Sequence, residues 1–410
     1  AQRLRREGRS GWQGWWRGWL VLGLAVLAKG PVAVVLVGLT LLMFGFSRGE
    51  LGLQWRGLRP VAGLGLTALV ALPWFIAELL VEGEPYWLSF FGYHNLQRFT
   101  AVVNDHLQPW WFFGPILVVA SLPVTPLLLL GLVRALQRQP AAAPQSLARF
   151  AACWLLVVLG FFTLAATKLP SYWIPATPAA AVLIAQAACD NEAALWARRL
   201  AWSLTLLLAA VLAVVLLSSP GWFAIVRDPE MPTLAQAVLN SGDLLRAGVC
   251  FGLAALLPLA LVLRRADGSA RLLALQLPLV GFAVLALQPL WHLGDQLRGL
   301  PVRQIAAAAA AQRRPQEPLA MVGILKPSLN YYSRQVVLYE GVEETGLTNL
   351  ADRLSRETRR GQQPTTSTQQ PTVLVVIDQG TAALPHWRGL HPQQLGSAGL
   401  YQLWRLERRT

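Results

Sequence analysis

A chain of 410 residues that is 54% apolar and only 14% charged presents more apolar surface than one water-soluble core can bury, which excludes an ordinary soluble domain. The formal charge of +14 would suit a nucleic-acid binder, but the cations sit in short connections between apolar runs, as topology signals do. No DNA- or RNA-binding motif accompanies them, so nucleic acid is not an expected partner; the partners expected first are membrane lipids.

The first residue is Ala1, with no signal peptide behind it, and the natural N-terminus is expected further upstream. Residues 1–14 form a basic cytoplasmic segment. The apolar region Trp15–Phe46 is too long for one pass and is interrupted at Lys29-Gly30-Pro31, so it reads either as one over-long helix or as a hairpin. Charge decides for the hairpin. Further apolar runs of spanning length lie at about 60–81, 110–133, 149–167, 172–189, 200–218, 244–263 and 272–292, which makes nine passes in all.

With the hairpin, Arg3, Arg5, Arg6, Arg9 and Arg17 fall on one side together with Arg48, Arg56, Arg59, Arg134, Arg138, Arg149, Arg198, Arg199, Arg264, Arg265 and Arg271. The opposite connections hold only Lys29, Arg98, Lys168 and Arg227, with Arg246 just inside a helix start. Cations concentrate on the cytoplasmic side of membrane proteins, so the sparse side is outside. Both hairpin arms are short, which puts the Lys29 turn in a protein-lined cavity, where irregular backbone is tolerated and a lysine requires an anionic partner.

Between the apolar runs lies a polar island with aromatic residues, Phe91-Gly92-Tyr93-His94-Asn95-Leu96-Gln97-Arg98-Phe99. In an α-helix, Trp87, Phe91, His94 and Arg98 share one face, greasy at one end and cationic at the other. Such a stripe suits a lipid with a phosphate headgroup, and it equally suits an interfacial belt whose arginine snorkels. Only three of the 35 cations are lysines, and Lys29 and Lys168 both fall on the outer side at breaks between helices. Lys168 opens Lys168-Leu169-Pro170-Ser171-Tyr172-Trp173, where Tyr172 offers a phenol beside the amine. Glu82, Glu84, His94, Asp105 and His106 share an outer loop; they include candidate ligands for a divalent metal, chiefly His94 and Glu84, but at no diagnostic spacing. The cysteines Cys153, Cys189 and Cys250 show no metal or redox spacing either. There is no nucleophile elbow, no Walker loop and no pair of intramembrane acids.

Beyond Leu293 the composition becomes more polar. Strand-like runs at Leu319–Leu325, Val336–Tyr339, Val373–Ile377 and Leu400–Leu406 alternate with helix-like runs at Leu347–Arg360 and Thr381–Leu390, and Gly361–Pro371 reads as a flexible loop. This is a small α/β domain, 295–410, on the outer face, following a transmembrane domain at 15–294. Its Lys326-Pro327-Ser328 turn lacks the glycines of a phosphate loop.

Taken together, Ala28-Lys29-Gly30-Pro31, Leu72-Pro73-Trp74, Gly92-Tyr93-His94-Asn95-Leu96-Gln97-Arg98-Phe99, Pro109-Trp110-Trp111 and Lys168-Leu169-Pro170-Ser171-Tyr172-Trp173-Ile174-Pro175 resemble the aminoarabinose-transferase-like branch of the protein mannosyltransferase superfamily. The resemblance implies a polytopic α-helical glycosyltransferase of the GT-C type that takes a sugar from a polyprenyl-phosphate donor, inverting at the anomeric carbon. The acceptor would be a lipid such as lipid A, or a protein, at the periplasmic face of a bacterial inner membrane. It also implies that Lys29 and Arg98 contact the carrier phosphate, that Tyr172 closes on it with Lys168 nearby, and that His94, Asn95 and Gln97 line the site, His94 near any metal. The family's catalytic carboxylates belong to an outer loop after the first span, which would lie upstream of Ala1, so the catalytic residues are unassigned here. Two readings compete with the enzyme: a carrier or flippase for polyprenyl lipids, and a lipid-binding protein without catalysis.

Overall fold

The computed structural model describes residues 14–49, 51–101, 108–137, 143–190, 192–315, 317–346, 348–350, 352, 372–390 and 392–407; for residues 53, 94–96, 98 and 143–146 it describes the backbone alone. The chain divides into two compact units, Ala1–Leu212 with Phe251–Pro278, and Ala213–Cys250 with Leu279–Thr410.

The first unit opens with the expected hairpin. Helix Trp15–Lys29 stops at Gly30, whose backbone N–H reaches back to the Val26 carbonyl, and Pro31 leads into Val32–Arg48. A short helix, Leu51–Leu58, then connects to Pro60–Glu82. Close approach of this last helix to the first depends on residues without bulk: a Cβ at Gly63 would lie 2.0 Å from the Trp19 ring, and one at Gly23 would lie 2.7 Å from Val70. Two polar side chains lock the register, Thr67 Oγ1 donating to the Trp19 carbonyl at 2.9 Å and Trp19 Nε1 to the Leu58 carbonyl at 2.8 Å. Trp19 thus lies opposite 58–67 and Gly23 opposite 67–70, so the two helices run in the same direction. A hairpin followed by a third pass requires that.

Helices Phe113–Ala120 and Thr125–Gln137 form one broken pass, bent by 115°. The hydroxyls of Ser121 and Thr125 donate to the Leu117 and Val118 carbonyls at the break, at 2.6 and 2.9 Å. Helix Ala143–Leu164 follows, then a 3-10 turn Pro170–Ala176 continuing into Thr177–Cys189, Leu195–Leu217, Asp243–Leu263 and Gly268–Phe282. Gly131 lets its helix ride on the backbone of Leu183, where a Cβ would sit 2.2 Å from the carbonyl oxygen, the close crossing that small residues permit in membranes.

Each of the nine expected passes contains helix, the one at 110–133 being broken at 121–124, and the protein is a multi-pass membrane protein. Among the described residues, six helices are long and apolar enough to span alone, and the bent pair makes up to seven. The hairpin arms are shorter, as expected. The last pass differs most from expectation: after a π-helical turn at Ala283–Leu287, helix Gln288–Gln312 continues well past residue 292.

In the second unit that long helix supports a five-stranded sheet of order β2-β1-β3-β5-β4, with β1 Leu319–Val322, β2 Val337–Glu340, β3 Thr372–Asp378, β4 Gln393–Ala398 and β5 Tyr401–Glu407. β2, β1 and β3 are parallel and β5 and β4 antiparallel, so the centre of the sheet is buried on both faces. One face packs Leu319, Met321, Leu374 and Val376 on Val302, Ile305 and Ala309 of the long helix and on Leu329 of the short helix Ser328–Ser333. The other packs Val375, Ile377 and Trp404 on Trp387. The four strands expected from the sequence are present, within a few residues of their expected ends. The edge strand β4 was not expected, because Gln393-Gln394-Leu395-Gly396-Ser397-Ala398 carries no β-branched or aromatic residue. Thr381–Leu390 is two short helices, Gln379–Ala382 and Pro385–Arg388, separated at Leu384 before Pro385. Of Leu347–Arg360, residues 348–350 and 352 are helical and the rest lies outside the described residues, as does Gly361–Pro371.

Candidate carrier-lipid site

The polar island folds as helix, but its winding is not the expected one. Glu84–Trp87 is α-helical, Leu88–Gln97 is a π-helix and Arg98–Thr100 returns to α. Hydrogen bonds from i to i+5 widen the turn and advance each residue by a smaller angle than an α-helix does, so Trp87, Phe91, His94 and Arg98 do not keep the single stripe read from α periodicity. Only its first step survives: the Trp87 and Phe91 rings lie 4.6 Å apart. A π segment of this length is rare, and such segments concentrate at functional sites.

The end of this helix is fastened to the connection that carries Lys168 and Tyr172. The Ala166 N–H donates to the Phe99 carbonyl at 2.9 Å, and Thr167 Oγ1 donates to the Ala101 carbonyl at 3.0 Å. The Phe99 ring lies 5.1 Å from Phe161, and the neighbouring Phe162 stacks on Tyr172 at 4.5 Å. The backbone of Arg98 is therefore one residue from a bond to the Lys168 turn. The side chains of His94, Asn95 and Arg98 lie outside the described residues, whereas Gln97 is exposed.

Lys168 is 8% exposed, and its ammonium donates to the Ala165 carbonyl at 2.8 Å, at the end of helix Ala143–Leu164. A cation there is favoured by the helix dipole. One of its three N–H donors is thus engaged in holding the turn. Tyr172 is half-buried in the 3-10 turn that follows.

Lys29 closes its helix with an exposed side chain. Since Gly23 lies opposite residues 67–70 in two helices running the same way, Lys29 lies level with Phe75. Phe75 is buried and meets Phe90 and Phe91 of the π segment at 5.4 and 5.7 Å. The helix Pro60–Glu82 thus meets the Lys29 arm through Gly63, Thr67 and Val70 and the π segment through Phe75. Lys168 and Tyr172 lie on the connection fastened beside the 94–98 segment, and Lys29 lies at the end of its own helix at the level of Phe75.

Glu84 is exposed at the start of its short helix, and among the described residues no group of three His, Cys, Asp or Glu side chains could hold a metal ion. Asp105 and His106 lie outside the described residues.

Comparison with known proteins agrees with the motif resemblance. The chain is 37% identical over 176 residues to an undecaprenyl phosphate-alpha-4-amino-4-deoxy-L-arabinose arabinosyl transferase of Pseudomonas aeruginosa, and 34% identical over 176 residues to one of Sodalis glossinidius. Those matches cover 42% and 41% of the chain and 30% of each transferase, so the match spans less than a third of the length of these relatives. The profile of the cyanobacterial RgtA-type glycosyltransferase C-terminal domain matches residues 312–410. Among solved structures, ArnT from Cupriavidus metallidurans bound to undecaprenyl phosphate superposes with a TM-score of 0.69 at 23% identity, over 94% of this chain and 68% of that one. The apo form of the same protein superposes with a TM-score of 0.65. The chain therefore shares the polytopic helical fold of ArnT, with its small C-terminal sheet domain.

Proposed function

We propose that the protein is a glycosyltransferase of the bacterial inner membrane that receives a sugar on a polyprenyl phosphate and passes it to a lipid A-like or protein acceptor at the periplasmic face. The observation that carries this reading is the fastening of Phe99 and Ala101 to Ala166 and Thr167. It joins the arginine-bearing π-helical segment to the Lys168–Tyr172 connection, and the scarcity of cations in these connections supports an outer location for both. The relatives named for arabinosyl transfer from undecaprenyl phosphate, and the ArnT fold, support the same donor class.

In this reading Lys29 and Arg98 bind the carrier phosphate and stabilise its charge as the bond to the anomeric carbon breaks, while Tyr172 covers it. Lys168 holds the turn and faces the same anion. The aromatic rings of the π segment lie along the prenyl chain. The base that activates the acceptor belongs to residues not assigned in this chain.

The test is transfer in membranes containing a polyprenyl-phosphate sugar and a lipid A acceptor. A charge-assisted hydrogen bond to phosphate is worth about 1.5–3 kcal/mol, so Lys29→Ala and Arg98→Ala should each lower kcat/KM by roughly 10- to 150-fold while leaving membrane insertion intact. Undiminished turnover in both variants would remove these residues from the donor site.

A further inference from the structure

In the C-terminal unit two cations outside the proposed carrier residues converge on a carboxylate of the chain itself, beside a crevice in the sheet. After β1 the chain turns into helix Ser328–Ser333 on one face of the sheet; after β3 it turns into Gln379–Ala382 and Pro385–Arg388 on the other. The carboxyl ends of these adjacent parallel strands therefore flank a topological switch point, the place where open α/β sheets take their ligands. Gly323 holds the turn after β1 at φ +90°, and a Cβ there would lie 1.9 Å from Asp378 Oδ2, so only glycine fits. Asp378 braces the crevice floor: its carboxylate accepts from the Ile324 and Thr381 backbones and from the Thr381 hydroxyl, at 3.0, 2.9 and 2.7 Å.

At the mouth of this crevice, Lys326 Nζ and Arg298 Nε converge on one oxygen of Glu230, at 2.7 and 2.6 Å. Glu230 comes from a turn 96 residues before Lys326, pre-formed by Asp228, whose side chain accepts from the backbones of Glu230 and Met231. Tyr401 stands beside the cluster, its phenol raised above its ordinary value by burial and by the charges of Glu230 and Asp378. The cations are under-used: the Arg298 side chain is 57% exposed and engages through Nε, and Lys326 has three N–H donors for one carboxylate oxygen. Arg298 lies seven residues beyond the exposed Trp291 on the helix that leaves the membrane, roughly 10 Å along its axis and close to the depth of a headgroup layer.

We propose that Lys326 and Arg298 form a binding site for a phosphate group, carried by a lipid headgroup, and that Glu230 is its resident competitor. A phosphate offers more acceptor oxygens than Glu230 and can engage the remaining donors of both cations. The site does not depend on the transferase reading, since it uses none of the residues assigned to the carrier.

The sign of one substitution separates this site from a structural ion cluster. In the detergent-solubilised full chain, binding of dioctanoyl phosphatidic acid is titrated against dioctanoyl phosphatidylcholine and inorganic phosphate. Glu230→Gln removes the competitor and should tighten phosphatidic acid binding about tenfold, and adding Lys326→Gln to it should abolish the gain. Unchanged or weaker binding in Glu230→Gln, with an unaltered melting temperature or not, overturns the site. An equal gain for inorganic phosphate retains the anion site and overturns its assignment to a lipid. Loss of transfer in the Lys29 variant with the Glu230→Gln gain intact overturns neither proposal.

Discussion

Glu317 shows how much a single buried residue holds in place. It is 4% exposed between the long helix and the sheet, and Arg405 grips both of its carboxylate oxygens at 2.9 and 3.2 Å while Thr372 and the Arg314 backbone add further donors. Burial pushes its carboxyl up, but the Arg405, Arg314 and Thr372 hydrogen bonds outweigh it and hold the group below its ordinary value. A depressed folded-state value stabilises the domain above the ordinary carboxylate range and ceases to do so as pH falls through the folded value. Removing one partner of a buried pair costs about 3–5 kcal/mol. Glu317→Gln should accordingly unfold at lower denaturant when followed by tryptophan fluorescence at neutral pH, with the gap to wild type narrowing below pH ~4. A gap that stays constant as pH falls well below that value would contradict the assignment. Glu317 is legible in the sequence only as one acid among many, because its partners Thr372 and Arg405 lie 55 and 88 residues away.

Among the elements, the first helix and its support decide whether Lys29 is presented. The contact between Trp15–Lys29 and Pro60–Glu82 is set by Gly63 under the Trp19 ring and by the Thr67 hydroxyl. Gly63→Ala should overpack the crossing by about 1–3 kcal/mol and lower the melting temperature in detergent. Trp19→Ala added to it should recover part of the loss, which a purely local helix effect would not allow. The π winding of Leu88–Gln97 belongs to this scale as well. Hydrophobic periodicity read there as an α-helical stripe, but the packing of Phe90 and Phe91 on Phe75 accompanies a wider helix that the side-chain spacing does not encode.

For the whole molecule, the distribution of arginine and lysine is the topological argument, and the parallel course of the first and third passes agrees with it. The proposed orientation can be measured with a membrane-impermeant maleimide in intact cells, after the exposed Cys189 is replaced by serine. Val336→Cys, at an 84% exposed position of the C-terminal unit, should label. Ala194→Cys, between two passes on the arginine-rich side, should label only after lysis. The reverse pattern would invert the protein and place the Lys29, Arg98 and Lys168 donors on the cytoplasmic side.

The sequence by itself determined the helical passes, the broken hairpin at Lys29-Gly30-Pro31 and four of the five strands. Each of these rests on local quantities, the length of an apolar run or the residue types around a break. It also carried the short motifs from which the resemblance was drawn. Tertiary structure alone decided which of the motif residues meet. The Phe99 and Ala101 carbonyls find Ala166 and Thr167 more than sixty residues away, Lys168 turns its amine onto Ala165, and Lys326 finds Glu230. A buried polar group takes whichever partner the chain path brings within about 3 Å, and that path is a property of the packed helices rather than of any one stretch of residues.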